Sequence, residues 1–231
     1  MIEKYLAIIP ARGGSKRIPK KNIKPFLGQP IIKYSIDTAI KSGIFDIIMV
    51  STDDEEIAKI SRSCGADSPF MRSEKTSDDH AMLADALEEV ISEYKKRKIE
   101  FTAFCCILPT APFLRSDRLV EAFNILKEAN ADSVIPVVKF SYPVQRALMI
   151  KNGLLSMIRP ENYIKRSQDL EPAYHDAGQF YWVNSNSFLK QKRLFMNKTI
   201  PIEVTDLEVH DIDDENDWKS AEIKYKIIKN K

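Results

Sequence analysis

YLAIIPARGGSKRIPKKNIK, residues 5–24, joins an uncharged apolar run to a glycine-paired basic loop. We predict a buried strand over residues 5–11 from the first part of this stretch. Residues 12–24, here called the basic loop, contain six cations and no acid. A wholly apolar strand is typical of a parallel sheet covered on both faces, and ligands of such sheets bind beyond the carboxyl ends of the strands. The basic loop is therefore predicted to lie at a ligand-binding edge.

Apolar runs alternate with helical periodicity through most of the chain. This alternation predicts an α/β fold with a doubly wound, mainly parallel sheet. Thr52 and Glu55 form a capping-box pattern, which predicts a helix that ends before Gly65. We predict the other strands at residues 47–50, 101–108, 133–138 and 200–204, and the other helices at residues 30–42, 79–98, from 116 onward, near 186–191 and at 214–228.

The pattern changes after about residue 140. Residues 141–175 lose the helical rhythm, and Asn152-Gly153 between two apolar pairs predicts a hairpin turn. We interpret residues 141–175 as a small inserted segment that forms a dimer contact, with an ordinary irregular loop region as the alternative. No repeat or linker divides the chain, so residues 1–231 are predicted to form one domain.

Composition excludes several classes of protein. The 231 residues are 44% hydrophobic and 29% charged, which is typical of a globular protein. A net charge of +2 does not favour a generally basic nucleic-acid-binding protein. Three cysteines without paired spacing exclude a disulfide framework and a zinc motif. The short apolar stretch near the N-terminus fits neither a membrane span nor a signal peptide, so we expect a cytoplasmic protein without membrane partners.

The basic loop has the composition of a polyphosphate site. The chain has only seven glycines, and two of them, Gly13 and Gly14, are adjacent here. Glycine allows backbone N–H groups to approach an anion closely, and lysine and arginine match phosphate oxygens. The spacing is that of neither GxxxxGK[ST] nor GxGxxG. The alternatives are a solvated basic loop or a nucleic-acid-binding patch.

A second cluster of charge lies at residues 203–217, here called the acidic segment, which has eight acids and no lysine or arginine. Asp211 and Asp213 are two residues apart, so in an extended segment they point to the same side and can share Mg²⁺. The alternative is that Asp213 or Asp214 caps the last helix. Cations that hold a polyphosphate and acids that hold a metal together favour metal-assisted phosphoryl or nucleotidyl transfer.

Residues 166–182 form a third region of interest, because they are rich in hydrogen-bonding and aromatic side chains. Such mixtures suit polyhydroxylated, acylated ligands. His175 is a candidate to contact an acidic substrate or to act as a base. The alternative for a single histidine is a hydrogen bond without a catalytic role.

The motifs resemble those of the CMP-sugar-acid synthetases, the cytidylyltransferases that activate sialic acids and related nonulosonic acids. IPARGGSKRIPKKN is similar to the signature loop of that family, and the resemblance covers essentially the whole chain. KRSQDLEPAYHDAGQFYW, residues 165–182, resembles the pseudaminic acid branch. The other similar segments are VSTDDEEIA (residues 50–58), FMRS (70–73), PTAPFLR (109–115) and HDIDDENDW (210–218).

The resemblance implies a Rossmann-like nucleotidyltransferase fold and a homodimer whose inserted segment reaches the partner. It implies that CTP and pseudaminic acid give CMP-pseudaminic acid and diphosphate, for glycosylation of flagellin or surface polysaccharide. It also implies the site residues: Lys21 and Arg12 for catalysis; Ala11, Arg12, Gly13, Gly14, Ser15, Lys16, Lys21, Asn22 and Arg72 for the nucleotide; Lys165, Arg166, Gln168, His175 and Gln179 for the nine-carbon sugar acid; and Asp211 and Asp213 for Mg²⁺.

Three alternatives remain open from the sequence. The first is the same reaction on N-acetylneuraminic or legionaminic acid. The second is a nucleotide-sugar-dependent glycosyltransferase that uses Asp211-Ile212-Asp213 as its metal motif. The third is a non-catalytic RNA- or anion-binding module that uses the basic loop.

Overall fold

The computed structural model describes residues 3–78 and 81–229, and a seven-stranded sheet forms its centre. Two short hairpins, β2–β3 and β7–β8, lie outside this sheet. The strands are β1 (Tyr5–Pro10), β2 (Pro25–Phe26), β3 (Gln29–Pro30), β4 (Ile47–Ser51), β5 (Ala103–Ile107), β6 (Ser133–Lys139), β7 (Leu148–Lys151), β8 (Leu154–Met157), β9 (Tyr174–Asp176), β10 (Phe180–Asn184) and β11 (Thr199–Glu203).

The sheet is mainly parallel, which confirms the predicted fold class. Its strand order is β11-β6-β10-β5-β1-β4, and β9 also pairs with β6. β4, β1, β5, β6 and β11 run in one direction. β10 lies antiparallel between β5 and β6, and β9 is antiparallel to β6. The apolar sequence of β10 is compatible with a buried strand of either direction.

Helices cover both faces of the sheet. Alternate residues of β1 point to opposite faces, so Ala7 packs with α1 and α5 while Leu6 packs with α4. A separate small core at Phe26 and Trp218 joins the β2–β3 hairpin to the last helix. The helices are α1 (Ile31–Ser42), α2 (Glu55–Ser63), α3 (Glu74–Ser77), α4 (Leu83–Lys96), α5 (Ser116–Glu128), α6 (Ser185–Gln191) and α7 (Glu215–Lys229).

Two helix starts differ from the sequence prediction by more than one residue. The N-cap of α2 is Asp54, whose carboxylate accepts the N–H groups of Glu56 and Ile57, so the capping role predicted for Thr52 is wrong. Thr52 instead accepts the N–H of Asp54 through its hydroxyl. The helix predicted over residues 79–98 begins at Leu83 in the structure, and residue 79 lies outside the described residues.

The segment 141–175 projects from the sheet as irregular chain around the β7–β8 hairpin, and we call it the arm. Asn152 and Gly153 have φ values of 53° and 76°, which are the left-handed conformations of the predicted two-residue turn. The arm returns to the sheet through β9. Among the described helices, none combines the length and the apolar character needed to span a membrane.

Candidate active site

A cleft of about 350 Å³ opens at the carboxyl edge of the sheet. The residues after β1 and after β5 meet there with residues that follow α2, at the edge where ligands of such sheets bind. The cleft is lined by Pro10, Arg12, Ser15, Lys16, Arg17, Ile18, Lys21, Asn22, Arg72, Thr76, Asp78, Ala81, Met82, Leu83, Ala86, Leu108, Pro109, Thr110 and Asp213. Basic side chains from two separate segments therefore face one cleft.

The two adjacent glycines have different surroundings. The N–H of Gly13 donates to Asp53 Oδ1 at 2.9 Å, and a Cβ on Gly13 would lie 2.9 Å from Asp54 Oδ2. Gly14 has no atom within 4 Å of the corresponding position. Gly13 thus permits the loop to pack against the start of α2. Neither glycine is among the residues that line the cleft, and Ala11 is buried with its N–H bonded to Ser51.

Fewer cations face the cleft than the composition of the basic loop indicates. Lys20 pairs with Glu56, and Lys24 pairs with Glu215 at 2.6 Å while lying over the Trp218 ring. Neither lysine lines the cleft. The other four cations of the loop do, namely Arg12, Lys16, Arg17 and Lys21.

Lys21 connects the basic loop with the acidic segment. Its ammonium group donates to the backbone carbonyl of Ile212. The side chain is half-buried, and this burial lowers the pKa of Lys21, while Asp213 and Asp211 act in the opposite direction. A desolvated ammonium group interacts more strongly with an anion than an exposed one does. Lys21 is therefore placed to act on a phosphate in the cleft.

Arg72 and Asn22 are held by the backbone of neighbouring loops. The Arg72 guanidinium donates to the Ser51 carbonyl at 2.7 Å and to the Ser51 hydroxyl at 3.1 Å. Burial lowers the pKa of Arg72, and Asp53 opposes that effect, but arginine remains charged in proteins. The buried amide of Asn22 donates to the Arg12 carbonyl at 2.9 Å. Both side chains are thus fixed before any ligand binds.

In the acidic segment, the residue that caps α7 is not one of the two predicted metal ligands. Asp214 accepts the N–H groups of Asn216 at 2.7 Å and of Asp217 at 3.0 Å, so Asp214 is the cap. Asp211 is exposed and Asp213 is half-buried, whereas Ile212 between them is buried. This alternation is that of an extended segment with both carboxylates on one side.

Asp211 and Asp213 fit a magnesium ion that shares its coordination with a phosphate. Mg²⁺ prefers hard oxygen ligands and is usually held by one or two carboxylates, substrate phosphates and waters. Across residues 3–78 and 81–229, no group of three or more His, Cys, Asp or Glu side chains forms a metal site. The two carboxylates would therefore supply only part of the coordination of such an ion.

The residues predicted to bind the sugar acid are dispersed. Gln179 is buried, and its side-chain amide donates to the Glu208 carbonyl at 2.5 Å. His175 is exposed on β9, with its ring 4.9 Å from that of Phe140. Lys165, Arg166 and Gln168 lie on the arm. None of these five residues lines the cleft within this chain.

The structure adds residues to the site that the sequence did not single out. Arg17 was visible as part of the basic loop but was not assigned a role. Thr76 and Asp78 come shortly after the FMRS motif, and this nearness could have indicated that they belong to the site. Leu83 reaches the cleft through tertiary packing, and no local pattern marks it, whereas Leu108 ends the strand predicted over residues 101–108 and directly precedes the PTAPFLR motif.

Comparisons with known proteins agree with the geometry of the cleft. The family model described as "Cytidylyltransferase" matches residues 6–226. The chain is 40% identical over 225 residues to the pseudaminic acid cytidylyltransferase of Campylobacter jejuni subsp. jejuni serotype O:2, covering 97% of each protein. It is 29% identical to the CMP-N,N'-diacetyllegionaminic acid synthase of Legionella pneumophila, covering 95% of each. The solved structure of CMP:2-keto-3-deoxy-manno-octonic acid synthetase complexed with CTP superposes with a TM-score of 0.73, at 15% identity, over 99% of this chain and 100% of that one.

Proposed function

The chain belongs to the cytidylyltransferase family, and on this premise we propose that it converts CTP and pseudaminic acid into CMP-pseudaminic acid and diphosphate. The activity of a CTP-dependent nucleotidyltransferase follows from the family. The choice of pseudaminic acid is supported by one observation, the 40% identity over 97% of the chain to an enzyme of that name. Membership of this family also favours nucleotidyl transfer over the glycosyltransferase alternative.

In the proposed reaction the anomeric hydroxyl oxygen of the sugar acid attacks the α-phosphorus of CTP. A new bond forms between that oxygen and the α-phosphorus, and the hydroxyl proton is released to water. The bond from the α-phosphorus to the bridging oxygen breaks, and diphosphate leaves with that electron pair. Negative charge increases on the phosphate oxygens as this happens, so preorganised cations lower the barrier. Arg12, Ser15, Lys16 and Lys21 line the cleft where these oxygens would lie.

Lys21 is the proposed main contributor to transition-state stabilisation. Its half-buried ammonium group lies beside the acidic segment, at the point where the loop and the predicted metal ligands meet. Asn22 and Arg72 would orient the nucleotide, since both are anchored to backbone carbonyls. Asp211 and Asp213 would hold Mg²⁺, which supplies positive charge to the phosphates when bound.

The arm is proposed to complete the sugar site of a second copy of the chain. Its hairpin exposes large apolar side chains, with Ile150 at 77%, Leu154 at 74% and Leu155 at 65% exposure. Contiguous exposed apolar surface of this kind marks interaction sites. Lys165, Arg166 and Gln168 on the same arm are remote from the cleft of their own chain, so a homodimer gives them a place in the partner's site. His175 and Gln179 would contribute from the sheet edge.

Diphosphate release with CTP, Mg²⁺ and a sugar acid tests the proposal. We expect kcat/KM to be highest for pseudaminic acid, above N,N'-diacetyllegionaminic and N-acetylneuraminic acid. Higher kcat/KM for either competitor would reassign the substrate within the family. No release with any nonulosonic acid would overturn the proposed function.

A mixture of two inactive variants tests the arm. Lys21→Ala removes the cleft lysine and Arg166→Ala removes an arm cation. If the arm acts across the dimer, mixed dimers contain one site with both side chains, and activity returns on mixing. Mixing Lys21→Ala with Arg12→Ala is the control. Both residues line the cleft of their own chain, so each cleft of a mixed dimer still lacks one cation and activity should not return.

A further inference from the structure

Asp176 is an exposed carboxylate that is held rigidly at the carboxyl edge of the sheet. The Tyr181 hydroxyl donates to its Oδ2 at 2.6 Å, and the Gly178 N–H donates to its Oδ1 at 2.8 Å. The Tyr181 side chain is buried, with 6% exposure, and forms part of the core beneath. Burial raises the pKa of the Tyr181 phenol, and the Asp176 and Asp211 carboxylates raise it further, so the phenol remains a donor.

The position of Asp176 follows from the strand order. β10 is antiparallel to β5, so the start of β10 lies at the carboxyl edge of β5, where the Leu108 N–H donates to the Gln179 carbonyl at 2.8 Å. Leu108 lines the cleft. Tyr181 pairs with Cys106 of β5, and the charges of both Arg72 and Asp176 act on the Cys106 thiol. Asp176 thus lies beyond the nucleotide cleft on the side away from the basic loop.

The acidic segment also passes close to the start of β10. The Gln179 amide bonds to the Glu208 carbonyl, and the charge of Asp211 acts on Tyr181. A sugar whose anomeric oxygen reaches an α-phosphorus near Asp211 and Lys21 must occupy space beside the nucleotide. Asp176 lies at this same edge of the sheet, on the β10 side of Leu108.

We propose that Asp176 binds the acceptor sugar acid, accepting a hydrogen bond from one of its neutral donors, a hydroxyl or an acylamino N–H, and directing its carboxylate away. This inference rests on the proposed function. It assigns a role to a residue for which the motifs gave none.

The chemistry of the group favours this class of contact. A carboxylate has about four lone-pair directions, and Tyr181 and Gly178 take two of them. The remaining directions are open to solvent and can accept further donors. A negative charge attracts hydroxyl and amide donors and repels phosphates and carboxylates, so the ligand it selects is the uncharged part of a sugar acid. Because the two hydrogen bonds already fix the side chain, little conformational entropy is lost on binding.

The test is steady-state diphosphate release by Asp176→Asn, with the sugar acid and CTP varied in turn and Mg²⁺ saturating. The sugar used is the nonulosonic acid that the wild type converts fastest. We expect KM for the sugar acid to rise roughly 10- to 100-fold, the effect of losing a hydrogen bond to a charged group. KM for CTP should stay within about twofold, because the nucleotide contacts are elsewhere.

Two further variants separate binding from folding. Tyr181→Phe keeps the carboxylate and removes one anchor, so it should raise KM for the sugar acid by a smaller factor. Glu203→Gln is the matched control, because Glu203 also accepts a tyrosine hydroxyl, that of Tyr174 on β9, but lies on the edge strand β11. It should leave both KM values unchanged.

An unchanged KM for the sugar acid in Asp176→Asn would overturn the inference while leaving the proposed function intact. Equal increases in KM for CTP and for the sugar acid, with a lower melting temperature, would show a purely structural role and would overturn it as well. Failure of the wild type to use any nonulosonic acid is a separate result, and it would overturn the proposed function itself.

Discussion

The Arg17 guanidinium lies 2.7 Å from a carboxylate oxygen of Asp213, so the basic loop and the acidic segment are joined by an ion pair at the cleft. Lys21 and Lys24 make the same connection on either side, to the Ile212 carbonyl and to Glu215. The predicted phosphate site and the predicted metal ligands are therefore one unit. One consequence is that a candidate metal ligand is already neutralised by an arginine.

Arg17→Met should strengthen Mg²⁺ binding to the protein without nucleotide. The substitution leaves Asp213 with its full negative charge, while the methionine retains most of the aliphatic length. Because the pair is largely exposed, we expect a modest gain, about two- to fivefold in affinity. Isothermal titration calorimetry with Mg²⁺ measures it. Lys20→Met is the control, because Lys20 pairs with Glu56 outside the cleft; an equal gain in that variant would attribute the effect to net charge alone.

Lys21→Ala should retain the fold and lower turnover by about 100-fold or more, the scale of one lost transition-state donor. Diphosphate release at saturating CTP measures the change, and circular dichroism checks the fold. Lys20→Ala, a lysine of the same loop that faces Glu56, should keep near-normal turnover. Wild-type turnover in Lys21→Ala would remove this residue from the mechanism.

The pH dependence of turnover should also report on Lys21. Its pKa is lowered by burial, and only the protonated form can stabilise phosphate charge. Turnover should therefore fall as pH rises through a value below the ordinary lysine pKa of about 10.4. Lys21→Arg should move this alkaline limb upward, because arginine does not lose its proton in that range. An alkaline limb at the same pH in both proteins would assign it to another group.

Much of the fold could be predicted from the sequence because its signals are local. The apolar runs of β1, β5 and β6 and the spacing of apolar residues in α1 and α5 depend on near neighbours along the chain. Gly43 ends α1 at φ 67°, as its position indicates. The direction of β10 could not be predicted, because an apolar strand buried on both faces has the same pattern in either direction.

The candidate site was only partly predictable for a related reason. Composition locates the basic loop, but the direction of each cation depends on partners distant in sequence. Lys20 and Lys24 have the same side chain as Lys21, yet Glu56 and Glu215 draw them away from the cleft. The cap of α7 likewise falls on Asp214, since the backbone N–H groups of α7 lie within reach of its carboxylate.

Gly13→Ala should destabilise the protein, whereas Gly14→Ala should not. An alanine Cβ at residue 13 would lie 2.9 Å from Asp54 Oδ2 and 3.0 Å from Asp54 Cβ. Asp54 cannot turn away without losing its cap of α2, so we expect a loss of about 1–3 kcal/mol in unfolding free energy, as for other overpacked sites. Urea denaturation measures the difference. Equal stability of the two variants would show that the loop relaxes without cost.

The last prediction concerns the exposed hairpin of the arm. Ile150 and Leu155 are directly opposite each other on β7 and β8, and both are largely exposed. If this surface packs against a second copy, replacing both residues by lysine places two charges in an apolar interface, and the dimer should dissociate at micromolar concentration. Light scattering coupled to size-exclusion chromatography measures the mass. Ile223→Lys is the control, since Ile223 is 60% exposed on α7, away from the arm. A wild type that is monomeric at every concentration, or a double variant that remains dimeric, would contradict the proposed role of the arm. Either result would mean that the apolar pair does not lie in a dimer interface.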